Sequence, residues 1–181
     1  MDCNEQKFWE SYKKELIDPI DILIKNQQDI AACKLILSGI DSLAGFYSGR
    51  MEIGHIKETF IDFVEKYLSK FNSVKFTGKK LINSKTGKEI KKLSEILYFI
   101  FRNDLIHDGM LGIGVEVYRD KDMKVLWTGS GIQIFRVNIL GFFGYYKQAI
   151  DEYGKDLLID DILKKNFSTK YNMVIGFSFG I

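Results

Sequence analysis

Between Leu93 and Leu105 the apolar residues Leu93, Ile96, Leu97, Ile100, Phe101 and Leu105 keep the i, i+3, i+4 spacing of a helix that turns one face to a core. The stripe runs into a tight polar cluster of Arg102, Asn103, Asp104, His107 and Asp108. Asp108-Gly109 then supplies a stop, since Gly109 is free to adopt the left-handed conformation that follows a last helical turn. On such a helix Asn103 and His107 lie four apart on one face, with Arg102 one step round, so all three could border one cleft. Charges at the end of a buried helix must be paired, hydrated in a cleft or shared with another subunit. A chain of 181 residues, 46% of them apolar and 14% aromatic, has the length and content to build one sizeable core around this helix.

The remaining segments follow the same helical period. Phe8, Trp9, Tyr12, Leu16, Ile20, Leu23 and Ile24 predict a helix over 4–26, with a kink or break at Asp18-Pro19 because proline removes a backbone donor and clashes with the preceding turn. A second helix is predicted from Asp29 to Tyr47, a loop over Gly49 to Gly54, and a third helix from Ile56 to Phe71. Beyond the central helix the period falls to two. Ile113, Val115 and Val117 alternate with Val125 and Trp127 across the turn Arg119 to Asp122, predicting a β-hairpin, and Ile132 to Val137 predicts a third strand. Asn138 is placed to cap a helix through about Tyr153, a further helix opens at Lys155 or Asp156 and runs to about Asn166, and the apolar end MVIGFSFGI reads as a strand or docked tail. The expected architecture is mostly α: an antiparallel helical bundle over residues 1–109, then over 110–181 a small β-meander and two C-terminal helices packed on the bundle as part of the same domain. The central helix is expected to be the most buried.

Charge and cysteine usage narrow the chemistry. The net charge of +2 predicts neither nucleic acid nor a membrane surface as partner, so electrostatics must come from local clustering. One cluster exists: the stretch from Asn72 to Lys92 carries seven lysines against one acid, Glu89, and reads as a basic loop or small hairpin. It is either a solvated connection or a phosphate-contacting edge in which Lys79, Lys80, Lys91 and Lys92 would give salt-sensitive affinity for RNA. Asp151, Glu152, Asp156, Asp160 and Asp161 give the C-terminal end an acidic face, read as a solvated helix surface or as a surface for intermolecular pairing with the lysines. Neither GxxxxGK[ST] nor GxGxxG is completed, so nucleotide binding through a glycine-rich loop has no support. Cys3 and Cys33 lack metal-ligand spacing, and with His55 and His107 the only histidines no zinc site or other cofactor is expected. Reduced thiols, a start without the pattern of a signal peptide, and no apolar run approaching the ~18 residues of a membrane span lead to the expectation of a soluble, cytoplasmic protein.

The segment Arg102-Asn103-Asp104-Leu105-Ile106-His107 resembles the Arg-polar-x-x-x-His motif of HEPN domains, helical bundles in which the motif falls near the end of a late helix. The resemblance covers about residues 4–109 and is specific over the six-residue motif and its helical context. It implies a homodimer in which two motifs form a composite, metal-independent ribonuclease site, with RNA as substrate and a defence or toxin–antitoxin setting in which an antitoxin protein would be a partner. Gly109 stands two residues past His107, where the subgroup paired with a nucleotidyltransferase antitoxin often carries Tyr. The β-meander has no counterpart in a minimal bundle of this kind.

The residues suit the chemistry that the resemblance implies. Cleaving an RNA phosphodiester without metal needs a base for the 2′-hydroxyl proton, an acid for the departing 5′-oxygen and a cation for the charge growing on phosphorus. His107 can exchange protons near neutrality, and Arg102 offers a planar, permanently charged fork for phosphate. Asn103 can orient the imidazole or the scissile group through its amide. The same residues admit a non-catalytic reading, in which Arg102 satisfies a carboxylate such as Asp41 or Asp104, His107 caps its helix, and the protein is a dimerisation or RNA- or protein-binding module.

Overall fold

The computed structural model describes residues 1–49, 55–68, 81–82, 89–90, 92–102, 115–121, 126–128 and 135–179. Helix α1 spans Cys3–Lys25 and opens on a capping box: Asp2 accepts from the backbone N–H groups of Asn4 and Glu5, both at 2.8 Å, while the Glu5 carboxylate accepts from the Asp2 N–H. Pro19 lies inside this helix, which continues through it where the sequence predicts a kink or break. Helix α2 covers Asp29–Ser48 and ends on Gly49, whose φ of 61° is the left-handed closure that glycine adopts without steric cost. Helix α3 runs Ile56–Tyr67, shorter at its end than predicted.

Two short strands, β1 (Leu81–Ile82) and β2 (Glu89–Ile90), pair antiparallel within the basic stretch. Helix α4 (Leu93–Ile96) passes directly into a π-helical turn, Leu97–Arg102. The apolar stripe is helical as predicted as far as Arg102, the first motif residue, over which it takes π register; Leu105 and the stop predicted at Asp108-Gly109 lie outside the described residues. Ile96, Leu97 and Phe101 from it are fully buried.

The sheet departs from the predicted meander. Strands β3 (Val115–Tyr118), β4 (Leu126–Thr128) and β5 (Phe135–Asn138) are ordered β3-β5-β4. The central strand β5 pairs parallel with β3, Val115 beside Phe135, and antiparallel with β4, Leu126 opposite Val137. Among the described residues β3 and β4 do not pair with each other, and Arg119 and Asp120, two of the residues expected to turn, bond to other segments. The Arg119 guanidinium donates to the Ile24 carbonyl at 2.7 Å and to the Asp29 carboxylate, while the Asp120 backbone meets the Asn138 side chain. These bonds tie the end of β3 to the α1–α2 corner and to the end of β5.

Asn138 caps helix α5 (Ile139–Ile159), accepting from the Leu140 N–H. Asp160 ends α5 and caps helix α6 (Asp161–Phe179) through bonds from the Ile162 and Leu163 N–H groups. The C-terminal apolar segment is thus a continuation of α6 as far as Phe179, in place of the predicted strand or tail.

Among the described residues, packing centres on α2. Ala32, Cys33, Ile36, Leu37, Ile40 and Leu43 are fully buried, each large side chain contributing about 1.5–3 kcal/mol by removal from water. Trp9 of α1 meets Tyr153 of α5 at 5.5 Å and Phe167 of α6 at 6.1 Å between ring centres, and Phe63 of α3 meets Tyr153 at 5.9 Å. One core therefore unites the N- and C-terminal helices. Helix α2 also has 20 residues and an 18-residue window of mean hydropathy 1.4, long and apolar enough by length and composition alone to cross a membrane. Lys34 and Asp41 break its apolar run, and half of that window is buried among the other helices.

Candidate functional site

Arg102 is the last residue of the π-helical turn, and its side chain is only 11% exposed. Its Nε donates to Asp41 Oδ2 at 2.8 Å. Asp41 comes from α2, between the buried Ile40 and Leu43, so the acceptor is fixed to a helix of the core. The guanidinium also lies over the Tyr98 ring, 5.3 Å from its centre. Tyr98 is held in turn by Phe60 of α3, ring centres 5.5 Å apart, and Lys57 of the same helix sits 4.8 Å over Phe99. Burial pushes the Tyr98 hydroxyl above its ordinary pKa, with the Arg102 charge acting in the opposite sense.

This geometry gives the cation a defined direction. A guanidinium with its Nε edge on a carboxylate and its plane over a ring has lost most of its rotational freedom. Of the carboxylates that the sequence offers to Arg102, Asp41 makes the contact described here. Tyr98 was not foreseen as a partner, although its position four residues before Arg102 is the helical spacing at which side chains meet.

Asn103, His107, Lys79, Lys80 and Lys91 lie outside the described residues. Lys92 is exposed, and its ammonium meets both carboxylate oxygens of Glu65, at 2.8 and 3.1 Å. That bond raises its pKa. Ser94 adds a third bond to Glu65 at 3.1 Å, which docks the start of α4 on α3. Glu65 too was missed in the sequence, where nothing local links it to residues so far along the chain.

No family model, curated protein or solved structure matches the chain.

Several other chemistry-bearing groups of the described residues bond within the fold. A cleft of about 260 Å³ lies where the end of α2, helix α3 and the α5–α6 corner meet, lined by Tyr47, Thr59, Lys66, Asp160 and Asn166 among others. Lys66 faces Asp156 at 3.3 Å, Asn166 donates to the Tyr47 carbonyl at 2.8 Å, Thr59 donates to the His55 carbonyl at 3.0 Å, and Asp160 caps α6. Cys33 is fully buried, and desolvation pushes its thiol up to about 12, far from a reactive thiolate. Among the described residues no three His, Cys, Asp or Glu side chains gather as a metal site would require.

Proposed function

We propose that the chain is a HEPN-like, metal-independent endoribonuclease that acts as a homodimer, with Arg102 as the phosphate-binding cation. The observation that carries this reading is the fixing of Arg102 by Asp41 and Tyr98 at the end of a π-helical turn, a backbone geometry that is rare and frequent at functional sites. A permanently charged, oriented fork is what a transition state with growing negative charge on phosphorus needs. In the proposed reaction the 2′-oxygen attacks phosphorus, its proton passing to one His107. The bond from phosphorus to the 5′-oxygen breaks, and the 5′-oxygen takes a proton from the His107 of the second copy. Asn103 orients the imidazole or the scissile group, and the lysines of the stretch 72–92 supply non-specific affinity for RNA. A defence or toxin–antitoxin role, with an antitoxin protein as partner, belongs to the same reading.

One observation favours a second reading. An arginine as enclosed as Arg102, already paired with a carboxylate, also suits a purely structural ion pair in a non-catalytic dimerisation or binding module. An RNA cleavage assay in EDTA separates the two, run on wild type, Arg102→Ala and His107→Ala. The ribonuclease reading expects products ending in 2′,3′-cyclic phosphate, lost in both variants. Absence of cleavage by wild type, or equal cleavage by all three proteins, rejects it.

A further inference from the structure

Two consecutive rings of the π-helical turn each carry a cation. Tyr98 has the Arg102 guanidinium 5.3 Å from its centre, and Phe99 has the Lys57 ammonium of α3 at 4.8 Å. The two rings stand at 86° to one another with centres 5.3 Å apart, so the four side chains form one connected row of cation, ring, ring and cation. All four are half-buried, and the row therefore reaches the surface. Among the described residues no carboxylate pairs with Lys57, whereas Lys66 of the same helix meets Asp156 and Lys92 meets Glu65. The carboxylates that act on Tyr98 are Asp41 and Glu58. Asp41 is bonded to the Arg102 Nε and Glu58 is exposed to solvent, so neither neutralises Lys57.

We propose that Lys57 and Phe99 form a subsite for one unpaired nucleotide of RNA beside Arg102, with Phe99 stacking the base and Lys57 binding the phosphate. The inference rests on the ribonuclease reading, which makes Arg102 the ligand of the scissile phosphate, and it adds a place for the neighbouring nucleotide. The alternation of cation and ring decides the class of ligand. A nucleic-acid strand presents a phosphate and a flat base at every step, and proteins hold unpaired strands with positive grooves in which aromatic rings are interleaved. An acidic peptide offers charge to Lys57 and nothing planar to Phe99. The Lys57 ammonium is a compact charge on a flexible stem, so its transfer from the ring to a phosphate uncovers the Phe99 face for the base. Bases within a duplex are already stacked and paired, which restricts the subsite to an unpaired nucleotide.

Fluorescence anisotropy tests it on the full chain, with circular dichroism confirming that each variant is folded. The probe is a labelled single-stranded RNA oligonucleotide with every 2′-hydroxyl methylated, which the proposed reaction cannot cleave. Wild type is expected to bind it. Phe99→Leu should weaken binding at least about fivefold, the low end of one lost stacking contact, while Phe99→Tyr, which keeps the ring, should bind as wild type does. Lys57→Ala should weaken binding and lower the slope of log Kd against log salt by about one, the mark of one lost phosphate contact. A strand with the same phosphates and no bases should bind wild type and Phe99→Leu equally. A wild type that does not bind the probe overturns the proposal, as does binding indifferent to both Phe99→Leu and Lys57→Ala. Equal competition by a duplex or by a glutamate-rich peptide overturns the assigned ligand. Because the probe cannot react, these outcomes are independent of the cleavage assay. Cleavage by wild type with probe binding unchanged in both variants rejects the subsite and keeps the ribonuclease, and binding through Phe99 and Lys57 without cleavage does the reverse.

Discussion

Tyr146 and Tyr153 are fully buried, and neither hydroxyl has a hydrogen-bond partner among the described residues. A buried hydroxyl without a partner carries its desolvation cost uncompensated, so Tyr153→Phe is expected to leave stability unchanged or raise it by about 1 kcal/mol in urea unfolding. A loss above that size would mean that the hydroxyl is bonded. Gly39 is the matching constraint on Tyr146: a methyl group there would overlap the Tyr146 hydroxyl and approach its ring carbon to 2.8 Å. Gly39→Ala should therefore cost about 1–3 kcal/mol by overpacking, and less in a Tyr146→Phe background, where the worst overlap is gone. Additive losses in that double-mutant cycle would contradict the contact. At the candidate site, Asp41 and Arg102 were both visible in the sequence as groups that could meet. The Tyr98 ring was passed over although it stands four residues before Arg102, and the Glu65 hub for Lys92 and Ser94 was hidden because it owes its role to packing between segments that no local pattern connects.

Elements with their own start and stop signals were the legible ones. The N-cap of α5 at Asn138 follows from its capping residue, and the span of α2 from Asp29 from the apolar period. The strand order was not legible, since pairing partners are set by contacts such as Arg119 on the α1–α2 corner. The π-helical turn was hidden for another reason: over a single turn, the same apolar stripe serves α and π geometry alike. The run of α6 to Phe179 escaped as well, because MVIGFSF is as apolar as a strand. Asn138 shows how the elements depend on one another. Its buried amide accepts from the Leu140 N–H at 3.2 Å and donates to the Asp120 carbonyl, joining the α5 cap to the chain leaving β3. Asn138→Ala is expected to cost about 2 kcal/mol, above a simple cap loss, because it also leaves a carbonyl unsatisfied. A change below about 0.5 kcal/mol in urea unfolding would show the cap to be dispensable.

For the molecule as a whole, the buried tyrosines set a limit on the basic side. Burial pushes the Tyr12 hydroxyl up to about 12, and Tyr67, Tyr146 and Tyr153 are raised as well, with the Asp156 bond adding to burial at Tyr67. The unfolded chain releases these protons near pH 10, so above that the folded state holds more protons and stability falls as pH rises toward about 12. Urea midpoints should drop across that interval in step with tyrosinate absorbance, and midpoints that hold steady would contradict the raised values. The same core carries α2 and hence Asp41, so the direction of Arg102 is a property of the whole fold rather than of its own short segment. That links the packing to the proposed chemistry and points to Arg102→Lys as the decisive variant, since it keeps the charge while removing the planar fork that Asp41 orients. The measurement is the rate of RNA cleavage in EDTA by this variant against wild type, with folding checked in parallel. The account predicts a fall of about 100-fold or more at unchanged fold, the scale of losing an oriented transition-state donor. Equal rates for the two proteins, or a wild type that does not cleave RNA, would contradict it.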